Sequence, residues 1–140
     1  MSGWVLDTNI LSELRRPQPN PKVIDFVARQ SLSTLFISTV TFAEIRFGIE
    51  QITDLEKRTV LETWLTMQLR PMFEGRILPI NEETMLIWRR LVEQGRKQGH
   101  TFPQPDLIIA ATALQYDFSV VSRDIGGYAK TGVRLLNPWA

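Results

Sequence analysis

The chain has 140 residues, of which 44% are hydrophobic and 22% charged, with a formal net charge of +1 at pH 7. This describes one globular domain over residues 1–140 with a full core, excludes an extended disordered chain, and offers no global basic field for a polyanion. No cysteine and a single histidine, His100, remove disulfides and thiolate–imidazole zinc sites, and leave little ground for a Cys or Ser–His nucleophile. In chain order, WVL (4–6) is a short buried strand followed by a helix over 9–15. RPQPNPK (16–22) is loop-like, and its Asn20–Pro21 serves as cap and first residue of a helix over 21–30. LFI (35–37) is the second strand, before a helix over 40–52.

The pattern then predicts one helix over 54–72, apolar on more than one side through Leu55, Val60, Leu61, Trp64, Leu65, Met67, Leu69 and Met72. Such a helix is either deeply buried or covered by a second chain. ILPI (77–80) is the third strand, and 82–98 reads as a helix with Ile87, Trp88, Leu91 and Gly95 inward. Arg89, Arg90, Glu93, Arg96 and Lys97 take much of its remaining surface, as a solvated face or as a basic rim beside an anionic substrate. A helix over 106–116 and strands SVV (119–121) and VRLL (133–136) complete the chain. The alternation predicts an α/β fold, a parallel central sheet with helices on both faces. No signal-peptide pattern or membrane-length apolar run is present, so a cytoplasmic protein without a membrane partner is expected.

Four acids fall where such a sheet collects ligands, at strand C-ends and helix starts. Asp7 ends the first strand, Asp124 ends SVVSRD, Glu44 lies early in the helix after LFIS, and Asp106 opens the apolar helix PDLIIAATAL. Each has an ordinary structural reading. Asp7 can cap the next helix, Glu44 follows Thr41 at capping-box spacing, Asp106 complements a helix dipole, and Asp124 precedes the turn Gly126–Gly127. Glu44, however, lies on a polar or small stripe with Thr41, Gly48 and Gln51, which leaves room for a ligand. Asp106 joins the cluster only if its helix starts at the same edge. Were all four to converge, their repulsion would require a cation, and an all-oxygen donor set suits Mg²⁺ or Mn²⁺ and phosphoryl chemistry on nucleic acid.

The blocks LDTNILSEL, ISTVTFAEIRFGIE, FPQPDLIIAATA and VVSRDIGGYAKTGVRLLNPW, in this order and spacing, resemble PIN-domain ribonucleases of the VapC and FitB type, the toxin halves of bacterial toxin–antitoxin pairs. The resemblance runs from Leu6 to Trp139, includes GRILPI at 75–80, and is nearest the FitB-like group through the ending NPW. It implies a three-layer α/β sandwich and an acid site of Asp7, Glu44, Asp106 and Asp124. Asp7 and Asp106 would be the direct Mg²⁺ ligands, with Mn²⁺ as a substitute, while Thr8 and Asn9 steady the cluster and Ser122 and Arg123 contribute beside Asp124. It further implies metal-assisted hydrolysis of an RNA substrate, a homodimer, and a cognate antitoxin in a groove of helices 40–52 and 54–72, anchored by Phe47, Trp64 and Met67. Arg46, Arg89, Arg90, Arg96, Lys97 and Arg123 are the cations available to an RNA backbone.

Two other classes compete. In a non-catalytic α/β binding module the same acids would only cap helices and form ion pairs. A phosphohydrolase working through an aspartyl nucleophile typically needs a second Asp two residues after the first, where this chain has Asn9, and it lacks a Gly-rich phosphate loop.

Overall fold

A computed structural model describes residues 2–140. Its strands are β1 (Trp4–Leu6), β2 (Leu35–Ser38), β3 (Ile77–Leu78), β4 (Ser119–Val121) and β5 (Leu135–Leu136). Its α-helices are α1 (Thr8–Arg15), α2 (Pro21–Arg29), α3 (Thr39–Glu50), α4 (Leu55–Trp64), α5 (Arg70–Met72), α6 (Glu82–Lys97), α7 (Gln104–Tyr116) and α8 (Ile125–Tyr128). The strands form one five-stranded sheet in the order β3-β2-β1-β4-β5, and every pairing is parallel. Val5 lies opposite Phe36 on one side and Val120 on the other, so the earliest strand is the central one.

Period-two alternation divides the core into two layers. Val5 and Val120 face α6 and α7, where Leu91, Leu107, Ile109 and Ala110 are buried. Their neighbours Leu6 and Val121 face α1, α2 and α3, against Ile10, Val23, Phe42 and Ile49. Helices therefore cover both faces, as the strand–helix alternation predicts. Helix α7 is the most buried of them, with Ala110, Ala111 and Ala113 at 0% exposure. Small side chains let its backbone lie close to the sheet, and the buried hydroxyl of Thr112 is satisfied by donating to the carbonyl of Ile108 at 2.8 Å. Asn20 caps α2 by accepting from the Lys22 N–H at 2.9 Å, with Pro21 at the first helical position.

The expected helix over 54–72 is broken. Residues 65–69 form a π-helical turn between α4 and α5, closed by the Arg70 N–H to the carbonyl of Leu65. Pro71 supplies the reason: in a continued α-helix its ring would meet the carbonyl of residue 67, and a widened turn just before it relieves that clash. The wider turn buries Leu65 and Leu69 while Leu55, Val60 and Met67 stay 60–75% exposed. Two strands are shorter than expected, at 77–78 and 135–136, α7 begins at Gln104 rather than 106, and the four-residue α8 was not expected at all. No helix among the described residues is long and apolar enough to cross a membrane.

The chain passes from β1 outward through β2 and β3, then returns to lay β4 on the other side of β1. The segments leaving β1 and β4 therefore diverge, and a crevice opens between them at the C-terminal edge. Asp7 and Ser122 each stand one residue past a strand at this edge, and Asp7 lines the crevice.

Candidate active site

The crevice is a cleft of about 660 Å³ whose lining includes Asp7, Glu44, Asp106 and Asp124. Helix α7 does start at this edge, which brings Asp106 to the other three. The four acids nevertheless occupy different environments.

Asp7 is buried and bound on both oxygens. Its Oδ1 accepts the Thr8 N–H at 2.7 Å, which caps α1. Its Oδ2 accepts the Ser122 hydroxyl at 2.7 Å and the Tyr128 phenol at 3.0 Å. Ser122 is itself pinned, because Asn9 Nδ2 (3.0 Å) and the Asp124 N–H (2.9 Å) both donate to its Oγ. With both lone pairs occupied, its single proton must point to Asp7. Asn9 also accepts the Arg123 N–H at 3.3 Å. Asn9 thus acts on Asp7 through Ser122, and Thr8 acts through its backbone. Asp7 is both a helix cap and a member of the cluster.

Asp124 shows the same double use. Its Oδ1 accepts the Gly127 N–H at 3.0 Å and starts α8. Its Oδ2 faces Asp106: a Cβ built on Gly127 would lie 2.6 Å from Asp124 Oδ2 and 2.1 Å from Asp106 Oδ2. Only glycine leaves space for that carboxylate pair. Burial, the hydrogen bond shared with Asp124, and the charges of Asp7 and Asp124 push the Asp106 carboxyl up to about 7. Burial and the neighbouring acids also raise Tyr128, so its phenol stays protonated and donates.

Glu44 lies exposed at the mouth of the cleft. The capping box expected between Thr41 and Glu44 is not formed. Helix α3 begins two residues before Thr41, and Ser38 caps it by accepting from the Val40 N–H at 3.3 Å. Thr41 is instead fully buried with an unpartnered hydroxyl. Among the described residues no three acids stand as a ready-made metal cage, so the cleft holds an open set of oxygens rather than a closed coordination shell.

Glu13, which lines the cleft, and Tyr128, which lies behind Asp7, have no place in the sequence reading. Glu13 is buried, and the Asn20 N–H (2.8 Å) and Arg16 (3.2 Å) hold its carboxyl below the usual range. It therefore closes the loop ahead of α2 and is already engaged. Tyr128 carried a weak signal, as the one large residue of IGGY beside a candidate acid.

Of the six candidate cations, Arg123 alone lines this cleft. Its guanidinium stands 4.8 Å from the ring centroid of Trp139, which gives the NPW ending a structural role. Arg46 lines a separate cavity with Arg58 and Arg70. Arg89 and Arg96 pair with Glu93 at 3.1 and 3.0 Å, and Arg90 and Lys97 are exposed on α6, so the solvated-face reading of that helix holds. His100 packs edge-on to Phe102 outside the cleft. Of the three expected apolar anchors, Trp64 is half-buried beneath Arg15 at 5.0 Å, while Phe47 and Met67 are exposed.

Known proteins match this arrangement along nearly the whole chain. The PIN domain family covers residues 4–132. The toxin FitB of Neisseria gonorrhoeae is 36% identical over 135 residues, 96% of this chain and 97% of that protein. The VapC ribonuclease Y4jK of Sinorhizobium fredii is 33% identical over 96% of both. The crystal structure of FitAcB from Neisseria gonorrhoeae superposes with a TM-score of 0.90 at 35% identity, over 97% of this chain and 98% of that one. With the sheet order, the acid-lined edge and these matches in agreement, the chain belongs to the PIN-domain family, among the toxins of the VapC and FitB type.

Proposed function

We propose that this protein is a Mg²⁺-dependent endoribonuclease, the toxin of a toxin–antitoxin pair, hydrolysing RNA phosphodiester bonds in the cytoplasm. The observation that carries this reading is the meeting of Asp7, Asp106 and Asp124 in one cleft. Asp106 lies near enough to Asp7 and Asp124 for their charges to raise its carboxyl, which a cation would relieve, and oxygen donors without thiolate or imidazole fit Mg²⁺, or Mn²⁺ in its place. Such an ion, when bound, would balance that charge, acidify water and offset charge developing on the phosphate.

The protein's own groups divide the remaining work. Asp7 and Asp106 are the direct holders of the cation. Asp7 is fixed by three donors, and Asp106 shares its hydrogen bond with another acid, Asp124, and is raised by the charges of Asp7 and Asp124. Asp124 contributes through its Oδ2, since Oδ1 caps α8. Glu44, free and exposed at the mouth, orients the attacking water or accepts its proton. Arg123 is placed to meet the RNA backbone beside the acids.

A cognate antitoxin is the proposed protein partner, and a second copy of the chain completes a homodimer. The relative FitB is named a toxin, and a solved structure similar to this chain is FitAB bound to a DNA fragment. On this chain, Phe47, Leu55, Val60 and Met67 leave an apolar surface on α3, α4 and the π turn, 60–75% exposed, which suits a protein partner.

The test compares RNA cleavage by wild type, Asp7→Ala and Asp106→Ala with Mg²⁺ present. Each substitution should lower cleavage by about 100-fold or more. Cleavage that survives both would sink the mechanism. The competing reading, in which the acids only cap helices, has support at Asp7 and Asp124, which both cap; it predicts no response of the melting curve to Mg²⁺ or EDTA.

A further inference from the structure

We propose that Tyr128 is a positioning residue of the reaction centre, its phenol fixing the one orientation in which Asp7 presents a free oxygen position to the cleft. The proposal rests on the metal-dependent reading above and names a residue which that reading does not use.

Tyr128 is 1% exposed and reaches Asp7 across 121 positions of sequence to donate at 3.0 Å. A phenylalanine would fill nearly the same volume. The extra oxygen is a buried polar group, which costs desolvation and is of no use to packing. Among the described residues its one hydrogen-bond partner is Asp7 Oδ2, the oxygen that also takes the Ser122 hydroxyl. A carboxylate has about four lone-pair positions, two on each oxygen. Ser122 and Tyr128 fill both on Oδ2, and the Thr8 N–H fills one on Oδ1. One position is left, on Oδ1, so Asp7 is held as a ligand through a single oxygen.

The three donors come from separate places: the start of α1, the turn after β4, and α8. Rotation of the carboxylate would break at least two hydrogen bonds at once. Without the phenol, Oδ2 regains a free position and the preference for one orientation weakens. Helix α8 has only four residues, two of them glycine, and little intrinsic helix propensity. Its place depends on contacts such as Thr131 Oγ1, which donates to the Tyr128 carbonyl at 2.7 Å.

That last contact provides the control. Mn²⁺ binding to the purified full chain is measured by titration calorimetry for wild type, Tyr128→Phe and Thr131→Val, with metal-free melting alongside. Tyr128→Phe should weaken Mn²⁺ binding by about 10-fold or more, the usual size for an outer partner of a metal ligand. Thr131→Val loosens the same segment but keeps the phenol, and should retain wild-type affinity whatever its melting temperature. Equal affinity of wild type and Tyr128→Phe would overturn the proposal and leave the metal reading standing. Loss of affinity in both variants, in step with loss of stability, would also overturn it and reduce Tyr128 to packing. Absence of Mn²⁺ binding by wild type would overturn the metal reading and this proposal together.

Discussion

The two walls of the cleft treat their carboxylates in opposite ways. On the wall built by β1 and β4, Asp7 is buried but receives three hydrogen bonds, from Thr8, Ser122 and Tyr128. On the wall built by the start of α7, Asp106 faces Asp124 across Gly127 and is pushed up to about 7 by burial and by other acids. One wall is completed by the protein itself. The other is left short of positive charge. Local conflict of this kind is expected at functional sites, where stability gives way to binding. The contrast assigns the acids different tasks: Asp7 sets the geometry, and Asp106 supplies the charge that a cation relieves.

Stability measurements should separate the walls most sharply. Asp7→Ala strands two buried hydroxyls and a helix-capping N–H, and should destabilise the metal-free protein by about 2–4 kcal/mol in urea denaturation. Asp106→Asn removes a repelled charge and should leave metal-free stability unchanged or raise it by up to about 1 kcal/mol at pH 8. Equal losses from both substitutions would erase the distinction.

Gly127→Ala addresses the second wall without altering any charge. The added methyl would meet both Asp106 Oδ2, a side-chain end that can rotate away, and the Asp124 carboxylate, whose Oδ1 holds the Gly127 N–H. RNA cleavage should fall by about 100-fold, because a reacting group is displaced by roughly 1 Å or more, and the metal-free melting temperature should fall less than in Asp7→Ala. Full cleavage by the alanine variant would show that the carboxylate pair need not meet at this point.

The smallest effect is a slope with pH. The Asp106 carboxyl moves from an ordinary 3.8 to about 7 in the folded chain, so between those values the folded state binds more protons than the unfolded one. The stabilisation by that proton is complete below about 3.8 and is lost as pH rises through about 7. Metal-free melting temperature should therefore be lower at pH 8 than at pH 6, and Asp106→Asn should flatten the difference. A slope of the opposite sign would mean that Asp106 is not the strained member of the cluster.

Much of this was legible before any coordinates. Buried strands announced themselves as short apolar runs, and Asn20–Pro21 marked a helix start that the structure reproduces. The four acids were found because strand ends and helix starts in a parallel sheet share one edge. The continuous helix over 54–72 was misread although Pro71 stood inside it, because apolar spacing alone does not distinguish an α-turn from a π-turn. The Thr41–Glu44 spacing suggested a cap where none forms, since the end of β2 at Ser38 decides where α3 begins. Helix α8 was missed because Gly126 and Gly127 give no helical signal, and Asp124 alone starts it. The basic residues of α6 read first as a solvated face and second as a rim, and Glu93, which pairs with two of them within the same helix, favours the first.

What the chain determined by itself was most of the elements, the candidate acids and the family, because capping, periodicity and motif spacing act over a few residues. What only the tertiary structure decided was who meets whom. Ser122 and Tyr128 reach Asp7 from 115 and 121 positions away, and the start of α7 arrives at the same edge because β4 returns beside β1. Those encounters depend on strand order and on the direction of each connection, which no local pattern encodes. They turn an aspartate that reads as a helix cap into a cap, a hydrogen-bonded hub and one wall of the cleft at once.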